Sequence, residues 1–60
     1  MSIITIQEQL AKAIEFKATL TQCMLNARTI EGVQRIRGDI HAVNLEICEY
    51  ECALLREVTP

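Results

Sequence analysis

The chain has 60 residues, half of them hydrophobic, yet only Phe16 and Tyr50 are aromatic and only two glycines and one proline occur. So short a chain makes one domain, residues 1–60, and buries only about 60% of the surface its unfolded form exposes, so a disulfide, a metal or oligomerisation is expected to add to its stability. A net charge of −2 with a pI near 5.2 supplies no chain-wide basic field for a phosphate backbone, which argues against general nucleic-acid binding.

The opening stretch MSIITIQEQ has no basic leader, no long apolar core and no small-residue cleavage site, so neither export nor a membrane span is expected. Thr5 followed by Glu8 matches the capping box T-x-x-E, in which two otherwise unpaired amides are satisfied at a helix start. A first helix is therefore predicted over about 6–27. Along it a 3,4 repeat runs through Ile6, Leu10, Ala13, Lys17, Leu20, Met24 and Ala27, with Lys17 its one polar member.

Next comes Arg28-Thr29-Ile30-Glu31-Gly32. Thr29 can cap a new helix, Glu31 suits its positive end, and Gly32 weakens helix continuity, so the turn is placed at about 28–32. A second helix over about 30–57 carries the strictest repeat of the chain: Val33, Ile36, Ile40, Val43, Ile47, Tyr50 and Leu54. The two repeats are out of phase, since extending the first lands on Glu31 and Gln34. That favours an antiparallel hairpin over its rival, one long helix kinked near Gly32 or Gly38. The hairpin register pairs Met24 with Ile36, Leu20 with Ile40, Lys17 with Val43, Ala13 with Ile47, Leu10 with Tyr50 and Ile6 with Leu54. The lysine stem can lie along this seam with its ammonium in water.

The second helix has a further stripe on its other side, Leu45, Cys48, Cys52 and Leu55, and the first helix shows Ile14 and Phe16 off its seam. Leu45 falls level with residue 15, so these six residues are expected to form one apolar patch through which the hairpin self-associates into a dimeric four-helix bundle. A groove for a foreign protein is the other use such a patch could have.

Cys23, Cys48 and Cys52 are an odd set lying within helical patterns, which fits reduced thiols in a cytosol better than a secreted disulfide framework. Cys48 and Cys52 share a face, but the register sets Cys23 about 20 Å away along the axis, so one chain does not close a four-ligand metal site. His41, the only histidine, lies about 10 Å axially from Cys48, too far for a thiol–imidazole pair. With no Gly-rich phosphate loop, no H-E-x-x-H and no nucleophile elbow, no enzymatic activity, metal or cofactor is expected. Arg28, Arg35 and Arg37 make the turn basic, while Glu46, Glu49, Glu51 and Glu57 make the open end acidic. The basic turn is the candidate contact for RNA or for an acidic protein patch.

In length and hairpin plan the chain resembles the Rop-like plasmid proteins. That resemblance implies an antiparallel four-helix bundle dimer that binds paired RNA loops. The whole chain, opening MSIITIQEQLAKAIEF, also looks like the small accessory proteins encoded between the exonuclease and excisionase genes of lambdoid phages. That likeness implies expression in a bacterial host cytoplasm and modulation of host or phage processes by protein contact.

Overall fold

The structure, a computed structural model, describes residues 2–58. It is an all-helical hairpin of two elements, α1 (Ile3–Asn26) and α2 (Ile30–Val58). The rival continuous helix is thereby excluded. The hairpin is a rod of 48 × 14 × 13 Å.

α1 begins three residues earlier than the capping-box pattern predicts. Its N-cap is Ser2, whose Oγ accepts from the Thr5 amide at 3.2 Å and lies 2.9 Å from Thr5 Oγ1. Ser2 is as good a cap as threonine, and starting at Ile3 adds nearly a turn of backbone hydrogen bonds while keeping Ile6 in the seam. Thr5 is thus the third helical residue, and Glu8 lies within the helix instead of closing a box. At the other end Ala27 turns extended (φ −69°, ψ 140°), and its amide donates to the Met24 carbonyl at 3.2 Å. Only Ala27, Arg28 and Thr29 connect the helices.

Thr29 caps α2 as expected, accepting the Gly32 amide on Oγ1 at 3.0 Å, and Glu31 stands in the first turn where the helix dipole favours an acid. Gly32 therefore lies inside α2 and the break falls ahead of it. α2 ends at Val58, one residue past the expected limit.

The seam follows the two repeats. Ile6, Ala13 and Val43 are buried, and Leu10, Lys17, Leu20, Met24, Ala27, Val33, Ile36, Ile40, Ile47, Tyr50 and Leu54 are half-buried. Each helix thus lays one narrow apolar row against the other, the geometry that a 3,4 repeat produces. The antiparallel register is visible in what the helices share: Ile6 lines one groove with Tyr50 and Ala53, and Leu10 lines another with Leu54. No helix among the described residues is long and apolar enough to cross a membrane.

Candidate functional site: the exposed flanks of the hairpin

Two helices can bury one row each, and the remaining apolar residues stay in water. Ile3, Ile4, Ile14, Phe16, Leu25, Ile30, Leu45, Leu55 and Val58 are all exposed, Leu25 to 70% and Leu55 to 63%. All six residues expected to support self-association are among the exposed ones: Ile14, Phe16, Leu45, Cys48, Cys52 and Leu55.

They do not form a single patch. Each residue advances a helix by about 100°, so Ile14 and Phe16, two positions apart, lie about 200° apart and flank the α1 seam on opposite sides. The grooves between the helices record the same division. Phe16 lines one with Gln9, Lys12, Ala13, Glu46 and Tyr50. Leu55 lines the other, of about 320 Å³, with Leu10, Glu51, Leu54 and Val58. Leu45 stands about 200° round α2 from buried Val43 and so points away from α1 altogether. The sequence pattern joined into one patch exposed residues that the helix geometry places on separate surfaces.

The two flanks differ in chemistry. The one containing Leu55 also takes Ile3, Ile14 and Leu25 from α1, spaced eleven residues apart so that each returns to the same side after three turns. From α2 it takes Ile30, Cys48 and Val58 by the same angular rule. Thr21, half-buried on this side, folds its hydroxyl back onto the Lys17 carbonyl at 2.9 Å and so presents its methyl. The opposite flank sets Phe16 among Gln9, Lys12 and Glu46 and continues through Ala53, Arg56 and Glu57. The first flank is largely apolar, with Gln7, Arg37, Asn44 and Glu51 as its polar members, and the other is mixed throughout.

Neither Ile3, Leu25, Ile30 nor Val58 was singled out by the sequence pattern, because none belongs to a 3,4 repeat. The eleven-residue spacing of Ile3, Ile14 and Leu25 is the signal that would have found the first two.

The three cysteines are free and exposed. Cys48 and Cys52 sit one turn apart on α2, Cys23 lies on the mixed flank, and His41 is exposed. No group of three or more His, Cys, Asp or Glu side chains that could hold a metal occurs among the described residues. Arg28, Arg35 and Arg37 are exposed at the turn end. Arg37 falls to the apolar side of α2 and Arg35 to the mixed side, by the angular rule above.

No protein-family model matches the chain, and comparison with curated proteins and with solved structures gives no match either.

Proposed function

We propose that the chain is a non-enzymatic interaction protein that works as a homodimer, two hairpins packing into a four-helix bundle. The carrying observation is exposed surface. The hairpin presents 4799 Å² to solvent, whereas a compact monomer of its mass would present about 4,000 Å². The excess is close to the roughly 800 Å² that each partner of a standard interface covers. The exposed isoleucines and leucines make part of that surface apolar, and contiguous apolar patches rarely remain wet in a monomer. Sedimentation equilibrium of the full chain at micromolar concentration tests this directly. Twice 6.8 kDa is expected, and a monomer throughout the accessible concentration range overturns the proposal.

The resemblance to lambdoid phage accessory proteins extends this reading: the dimer acts in a bacterial host cytoplasm, modulating host or phage processes by contact with a protein. Affinity purification of the tagged chain from such a host, with a monomeric variant as control, is the corresponding experiment. A second reading rests on the exposure of Arg28, Arg35 and Arg37 together at the turn. Here the dimer would hold RNA at its two basic ends. Retention of RNA at physiological salt that disappears on Arg28→Ala with Arg35→Ala favours it, and no retention by the native chain excludes it.

A further inference from the structure

The hairpin is electrically polar along its length as well as chemically divided across its width. Cut at its middle, the half bearing the turn holds Lys17, Arg28, Arg35 and Arg37 against Glu31 and Asp39. The open half holds Glu8, Glu15, Glu46, Glu49, Glu51 and Glu57 against Lys12 and Arg56. One half is therefore net positive and the other net negative.

We propose that the apolar flank is where the dimer forms, and that it receives the same flank of a second copy running in the opposite direction, turn against open end. This rests on the homodimer reading above and adds the face and the orientation. Two copies meeting through one face must be related by a two-fold axis lying in the plane between them. An axis along the rods sets the acidic half against the acidic half. An axis across the rods sets acidic against basic, which like-charge repulsion favours.

The crossed arrangement also matches residues individually. With the axis at the middle of the rod, α2 lies over α2 of the second copy. Leu55 then comes level with Val33 of the second copy, Val58 with Ile30, and Glu51 with Arg37. On α2 these apolar residues meet apolar ones, the one acid of the flank meets the one base, and Asn44 falls on the axis and meets its own copy; on α1 Ile14 comes level with Ala18 and Leu25 with Gln7. By symmetry each pair occurs twice. The hydroxyl of Thr21, already bonded to the Lys17 carbonyl, has no unmet donor to strand in the contact.

A charge exchange in the full chain tests this, read as the dimer dissociation constant by sedimentation equilibrium. Glu51 and Arg37 are both exposed, so reversing either spares the hairpin. Glu51→Arg and Arg37→Glu should each weaken the dimer about tenfold, since each creates two like-charge contacts, and the double variant should return to within about threefold of the native value. Ile14→Glu should dissociate the dimer while Phe16→Glu, on the mixed flank, leaves it intact. A spin label at Asn26, with the three cysteines replaced by alanine, should report the two copies about 30 Å apart along the axis, against less than about 20 Å for rods lying turn to turn. Labels close together, or no rescue in the double variant, overturn the orientation. Dissociation by Phe16→Glu but not Ile14→Glu overturns the face, and either result leaves the homodimer reading standing. A native chain that sediments as a monomer overturns both.

Discussion

Gly32 donates its amide to Thr29 Oγ1 at 3.0 Å, and that same oxygen stands 3.0 Å from where a Cβ on residue 32 would sit. The cap and the glycine are therefore one device. Thr29→Ala removes the acceptor and should lower stability by about 1 kcal/mol. At fixed protein concentration, that corresponds to a fall in Tm of roughly 4–8 °C for a domain of this size. Gly32→Ala should gain helix propensity of about 1 kcal/mol and lose most of it by pushing the capping oxygen away, leaving Tm within a few degrees of native. A Gly32→Ala chain stabilised by the full propensity difference would show that the cap yields without cost.

Gly38 provides the contrast. It lies exposed inside α2, and an added Cβ there meets nothing within 4 Å. Gly38→Ala should raise stability by about 0.5–1 kcal/mol, through helix propensity and a less flexible unfolded chain. Thermal unfolding followed by circular dichroism measures it, and an unchanged or lowered midpoint would mean that Gly38 serves a contact this single hairpin does not contain.

Lys17 is the polar member of the α1 seam, half-buried and level with Val43, which is 4% exposed. A lysine stem can lie along such a seam while its ammonium stays in water. Lys17→Leu keeps helix propensity and adds apolar contact, so stability should rise by about 1 kcal/mol. Denaturant titration should show a higher midpoint with unchanged slope; a lower midpoint would indicate that the charge, not the stem, matters at this level.

Three free, exposed thiols and no cluster of metal-binding side chains among the described residues lead to a chemical prediction. In reducing buffer a chelator should leave helicity and Tm unchanged, whereas a zinc-dependent domain would unfold. All three cysteines should react with a thiol reagent without denaturant in dilute solution. If the proposed dimer forms, raising the concentration should protect Cys48, on the apolar flank, relative to Cys23 on the other. Equal protection of both would argue against that interface.

The hairpin and its seam were legible in the sequence because the physics is periodic. A 3,4 repeat describes one row, and the slip in phase between Ala27 and Val33 locates the reversal. The start of α1 was not, since two capping patterns overlap: Thr5-x-x-Glu8 is the fuller motif, yet Ser2 caps the longer helix. The apolar surface was legible only as a set of residues. Which side of the seam each occupies depends on accumulated rotation along both helices, so Ile14 and Phe16, close in number, part company in space.

The connection Ala27–Thr29 contains no glycine, and no residue with positive φ occurs among the described residues. Nothing in those three residues forbids them from being helical, and alanine and arginine are good helix formers. The reversal is thus held by the cap of Thr29 and by the seam, with no conformation unique to a turn. If the connection straightens, the two apolar rows end up on different sides of one continuous rod, and each can be satisfied only by another chain. An exchanged dimer would then reuse the seam contacts of the hairpin between two chains, and loss of the Thr29 cap would favour it.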